Sequence, residues 1–152
     1  MDPLGLAIEG IDPARFRLRL RQATGEIHTA LDDRFAELGW DSPLAYQAFV
    51  RMNEACHRVL EPWLEAALPP EETGQRPRFA EPLARDMDAM KLTPLPAPTL
   101  PFATADLTNA AGVAYVLDGS RLGARMIVRQ LTKSPPPFAP LSLHYLRAAS
   151  AP

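Results

Sequence analysis

The chain has 152 residues, 47% of them hydrophobic and 22% charged, with a formal charge of −2. That is one domain's worth of chain with ordinary globular composition, and it lacks the basic excess of a nucleic-acid binder. No apolar run approaches the roughly 18 to 20 residues of a membrane span. A single cysteine, Cys56, excludes an internal disulfide and a multi-cysteine metal site. The start, Met1-Asp2-Pro3-Leu4, lacks the basic and apolar regions of a secretory signal, so a cytoplasmic protein is expected.

Strand signals are absent, whereas helical periodicity recurs, so an all-α fold is expected. Residues 1–12 read as a flexible tail. A first helix should start at Pro13, with Asp12 as N-cap and proline at the first position. Phe16, Leu20, Ala23, Ile27 and Leu31 follow at spacings of four, three, four and four, the pattern of a core stripe. Ser42-Pro43 repeats the cap-then-proline start for a second helix. Its buried side is expected to carry Ala45, Phe49, Met52, Cys56, Leu60 and Trp63, with a kink or restart at Pro62. A third helix spans about 78–92, with Leu83, Met87 and Met90 inward. Of the 17 prolines, nine lie between Pro62 and Pro101 and separate elements, the Pro94-Pro96-Pro98-Pro101 run as an extended connector. A fourth helix covers roughly 104–132, with Val113, Leu117, Ala124, Val128 and Leu131 inward. A short fifth segment at about 140–148 closes the chain.

Two faces draw chemical interest. Beside the apolar stripe of the first helix, Arg17, Arg21, Thr24 and His28 are spaced four, three and four, and Asp32 continues the line. An imidazole there can ligate a metal through one ring nitrogen, and the arginines can neutralise carboxylates on the same ligand. A solvated polar border is the plainer alternative. On the fourth helix Gly112, Gly119 and Gly123 share a face, and each costs about 1 kcal/mol relative to alanine. Either close helix packing or a flat ligand lying against bare backbone would explain them.

These segments resemble a known family. Leu20-Arg21 with Thr24 and His28 resembles the proximal-helix signature of haem oxygenases. The run from Gly112 through Tyr115, Gly119, Ser120 and Leu122 to Gly123 is similar to the distal helix of their bacterial, biliverdin-producing branch. Leu83 to Met90 is similar to the intervening helix, and the three matches together cover most of 15–131. The resemblance implies a single haem-oxygenase-like helical bundle over 1–152 that sandwiches haem, both substrate and cofactor. His28 would ligate the iron, Arg21 would pair with a propionate, and Thr24 and Arg17 would border the site. Gly119 and Gly123 would let backbone approach the dioxygen side, and Ser120, or a water near it, would donate hydrogen bonds there. Haem would be opened by O₂ and electrons from a ferredoxin or flavodoxin reductase system to biliverdin, CO and Fe²⁺.

The pattern also departs from the family. The usual closing glycine pair reads Gly123-Ala124, and after Pro135-Pro136-Pro137 only a short segment with Arg147 stands where a long helix is expected. The alternative is therefore a non-catalytic binding or signalling partner of the same fold, with a second copy or another protein covering the shortened side. Glu54-Ala55-Cys56-His57 has the Glu-x-x-His spacing of di-iron sites but no second copy, so His57 is expected on the surface. Cys56 is expected to be an inert core thiol and His144 a solvent or core contact, with Trp40 and Trp63 as packing residues.

Overall fold

In the computed structural model, residues 12–39, 42–74, 76–101, 106–133 and 141–151 are described; the expected tail over 1–11, Trp40 and the prolines of 134–140 fall outside them. Helices α1 (Pro13–Leu38), α2 (Pro43–Ala67), α3 (Pro70–Thr73), α4 (Ala80–Ala89), α5 (Leu107–Lys133) and α6 (His144–Ser150) follow one another, with no strand among the described residues. The fold class is all-α, as the periodicity requires.

The helices that start on a local cap start where the sequence places them. Asp12 Oδ1 accepts from the Ala14 N–H at 3.0 Å, and Ser42 Oγ accepts from Leu44 at 3.2 Å. α5 starts at Leu107, three residues later than the expected start near 104, where Asp106 Oδ1 accepts from the Asn109 N–H at 2.8 Å. Gly39, at φ 74°, ends α1 in a conformation few residues other than glycine adopt. Pro62 neither breaks nor restarts α2, which runs through it; the proline sits on the exposed side.

The two short helices are capped differently. Neither Phe79, before α4, nor Leu143, before α6, has a side chain able to cap. Glu61 of α2 serves α4, accepting from the Phe79 N–H at 2.6 Å and the Ala80 N–H at 3.3 Å. Asp86 of α4 in turn serves α6, accepting from the N–H groups of His144 at 2.8 Å and Tyr145 at 2.9 Å. At the other end of α6, Arg121 and Arg125 of α5 donate to the Ala151 carbonyl at 3.1 and 3.2 Å. α4 and α6 are thus each started by a carboxylate from an earlier helix, which satisfies orphan groups at the helix terminus.

The main core gathers Tyr46, Phe49 and Val50 of α2, Leu83 and Met87 of α4, Ala124 of α5, and Tyr145, Leu146 and Ala149 of α6 around Phe79. A second cluster joins Leu64 and Leu68 to Ala110, Ala114 and Leu117, with Trp63 packed against it. Helix α1 is the exception. Its packing is against α2, with Phe35 edge-on to Phe49 at 6.1 Å. The expected core stripe is not core: Phe16 and Leu20 are half-buried, and Ala23, Ile27 and Leu31 are exposed, Ile27 by 71%. The reason is tertiary, since α4 and α5 pack on α2, and α6 on α4 and α5, and among the described residues no element covers that side of α1.

Candidate functional site

On α1, Thr24 and His28 are locked to their own helix. Thr24 Oγ1 donates to the Leu20 carbonyl at 2.9 Å. His28 Nδ1 lies 2.9 Å from the Thr24 carbonyl oxygen. A carbonyl only accepts, so Nδ1 carries the hydrogen, and in the neutral ring Nε2 presents a lone pair. The ring is therefore oriented as a ligating imidazole would be, and His28 is exposed. Arg21, one turn on from Arg17 and two before His28, is exposed, while Arg17 is half-buried.

On α5 the glycines do not serve packing among the described residues. A Cβ added at Gly112, Gly119 or Gly123 would meet nothing within 4 Å. Among the described residues, no helix lies close enough to require them. The same side of α5 exposes Val116, Leu122 and Met126, the last two by 64% and 70%. The result is a smooth apolar face with open space over its backbone. Ser120 points elsewhere. Its hydroxyl donates to the Leu117 carbonyl at 2.6 Å and its oxygen lies 3.4 Å from the Tyr145 hydroxyl, on the α6 side.

Beneath that face runs a buried polar network the sequence did not disclose. The expectation of a surface His57 fails: it is 1% exposed, its ring 5.6 Å from Phe79 and 5.9 Å from Tyr145. Asn53 and Val50 are buried beside it, because α4 and α6 dock on this side of α2. His57 Nδ1–H donates to Glu61 Oε1 at 2.8 Å. Burial alone would raise the Glu61 pKa, but the hydrogen bonds from His57, Phe79 and Ala80 outweigh it and hold the carboxyl below its ordinary value. The Tyr145 hydroxyl donates to Asn53 Oδ1 at 3.3 Å. Asp86, fully buried, also accepts from Ser142 Oγ at 2.7 Å and His144 Nδ1 at 3.0 Å. The spacing of Asn53, His57 and Glu61 was the available signal, a polar line four residues apart beside an apolar one.

A cleft of about 30 Å³, enough for about one or two waters, is lined by His57, Glu61, Thr73, Arg76, Phe79 and Asp118 among others. Arg76 pairs with Asp118 at 2.8 Å. Burial pushes the Asp118 carboxyl up against the opposing pull of Arg76 and Arg121. Burial likewise raises the Cys56 thiol, in keeping with an inert, protonated cysteine. Among the described residues, no group of three or more His, Cys, Asp or Glu side chains could hold a metal ion, and no helix is long and apolar enough to cross a membrane. The cleft belongs to the His57 network; His28, Arg21 and the glycines do not line it.

No family model, curated protein or solved structure matches this chain.

Proposed function

We propose that this chain binds haem between the His28 stripe of α1 and the glycine face of α5, and acts on it as a haem oxygenase. The observation that carries the reading is the glycine face. Three helix-interior glycines, each costing stability, look onto open space where a Cβ would touch nothing. A flat ligand that needs close backbone approach gives them a purpose that helix packing within the chain does not.

The residues present fit haem in their chemistry. His28 offers an exposed Nε2 lone pair on a ring held by the Thr24 carbonyl, as an axial ligand requires. Arg21 would place a guanidinium where a propionate carboxylate emerges, a charge-assisted pairing. Arg17 would add positive charge one turn further out. Val116, Leu122 and Met126 would cover porphyrin edge, and Gly119 and Gly123 would present backbone in place of side chains. Bound haem would supply the iron and the ring that O₂ and electrons open to biliverdin, CO and Fe²⁺. The Ser120 proton is already committed to Leu117, so any hydrogen bond donated on the distal side would come from water rather than from that hydroxyl. Electrons would come from a ferredoxin or flavodoxin reductase system.

A second reading, a binding partner of the same fold without turnover, is favoured by one observation. The faces of α1 and α5 expose several large apolar side chains that no part of the described chain covers. Titration with ferric haem, followed in the visible spectrum beside His28→Ala, separates the two. Stoichiometric binding with an imidazole-ligated spectrum, lost in the variant, supports the haem site and leads to turnover with reductant. Absence of saturable binding by the wild-type protein removes the enzyme reading.

A further inference from the structure

We propose that the uncovered stripe of α1 is a dimerisation surface, and that it takes α1 of a second copy of this chain in antiparallel orientation. The stripe is made of Leu20, Thr24, Ile27, Leu31 and Leu38, at spacings of four, three, four and seven, the repeat of a helix that packs along a helix. Ile27, Leu31 and Leu38 are exposed by 71%, 37% and 44%. An exposed apolar stripe of this regularity calls for an occupant; charge identifies it.

Arg15, Arg17, Arg19 and Arg21 fill the first half of α1, whereas Glu26, Asp32, Asp33 and Glu37 fill the second. The only cation in the second half, Arg34, is paired to Glu37 at 3.0 Å. This polarity opposes the helix macrodipole, which favours acids near the N-terminus and bases near the C-terminus. The first turn of α1 holds no acid and its last turn no base. Apart from the Asp12 cap, the arrangement in isolation is unfavourable along both halves. An antiparallel copy reverses the sign, setting each basic half along an acidic half and each end charge beside its opposite.

Geometry agrees. With Leu20 opposite Leu31 of the second copy and Thr24 opposite Ile27, the two-fold axis passes between Gly25 and Glu26. A two-fold axis brings the same flank of the stripe together from both copies. One flank carries Arg17, Arg21 and Asp32, so Asp32 of one copy lies level with the gap between Arg17 and Arg21 of the other. Parallel pairing would set arginine against arginine. An anionic membrane surface would welcome the basic half and repel the acidic one. A helix of this length runs about 39 Å, and a single pair of such helices sits at the small end of specific interfaces. Self-association should therefore depend on concentration and weaken with salt.

The proposal does not rest on the haem reading, and because Thr24, Arg17 and Arg21 serve both, haem and the second copy would compete for that flank; its test therefore uses haem-free protein. Sedimentation velocity on the full chain should show a monomer–dimer equilibrium that shifts toward monomer at high salt. Two charge-reversed variants then probe the pairing. Arg15→Glu/Arg19→Glu/Arg21→Glu makes both halves of α1 predominantly acidic, and Glu26→Lys/Asp32→Lys/Asp33→Lys makes both predominantly basic. Each alone should self-associate at least about tenfold more weakly than wild type, and an equimolar mixture should recover dimer. Circular dichroism verifies that both variants remain helical; all six positions are exposed. A wild-type chain that is monomeric at every concentration overturns the proposal, as do variants that dimerise unchanged or a mixture that fails to pair. Dimerisation without haem binding would leave this inference standing and remove the enzymatic one.

Discussion

Replacing Gly119 and Gly123 with alanine should stabilise the protein while weakening its haem site. Both positions lie inside α5, neither has a positive φ, and a Cβ at either meets nothing within 4 Å. No steric term opposes the substitution, which leaves the helix propensity and the reduced freedom of the unfolded chain. Together these favour alanine by about 0.5–1 kcal/mol per site. The two sites lie one turn apart on one face, so with near-additive gains the double variant should be more stable by about 1–2 kcal/mol, or roughly 2–8 °C in melting temperature for a chain of this size. Urea unfolding followed by far-UV circular dichroism measures the gain. The same methyl groups would stand where a flat ligand needs bare backbone, so haem affinity should fall about tenfold, equivalent to ~1.4 kcal/mol of overpacking. A double variant less stable than wild type would refute the reasoning, because the glycine face would then be covered in solution. A variant that is more stable yet binds haem unchanged would retain the stability argument and strip the glycines of their proposed role.

The tertiary caps make two further predictions. Asp86→Ala leaves the buried N–H groups of His144 and Tyr145 and the Ser142 hydroxyl without their acceptor, and should cost about 3–5 kcal/mol. The exposed neighbour variant Asp88→Ala should stay within about 0.5 kcal/mol of wild type, and a comparable loss at both positions would contradict the assigned role. Glu61 has a folded pKa below its ordinary value of 4.5. Its contribution is therefore complete above that value and lost as pH falls through the lower, folded pKa. Glu61→Gln should be less stable than wild type at neutral pH, with the gap narrowing on acidification. A gap that is constant with pH would show that the Glu61 charge does not support α4. Asp118, whose pKa is raised mainly by burial, acts with the opposite sign: its ionisation costs stability as pH rises.

Much of this molecule was legible in the chain because the deciding physics is local. Asp12-Pro13 and Ser42-Pro43 mark helix starts through hydrogen bonds to backbone two residues away. Helical spacing marks Leu83, Met87, Leu117 and Ala124 as core, and all four are buried. The orientation of His28 is also local, set by a carbonyl one turn back.

Two kinds of feature escaped. The stripe of α1 looks like core by its spacing, yet periodicity shows only that a face is apolar, and not which element covers it. The His57 line looks polar and hence solvated, yet it is buried, because Glu61 and Asp86 each accept hydrogen bonds from residues 18 to 59 positions away in sequence. The sequence by itself determined where helices begin, which faces are apolar and which backbone is bare. Only the tertiary structure decided which apolar face would be core, because burial depends on which helix packs where. It also decided that a carboxylate from one helix, and no neighbour in sequence, would start the next.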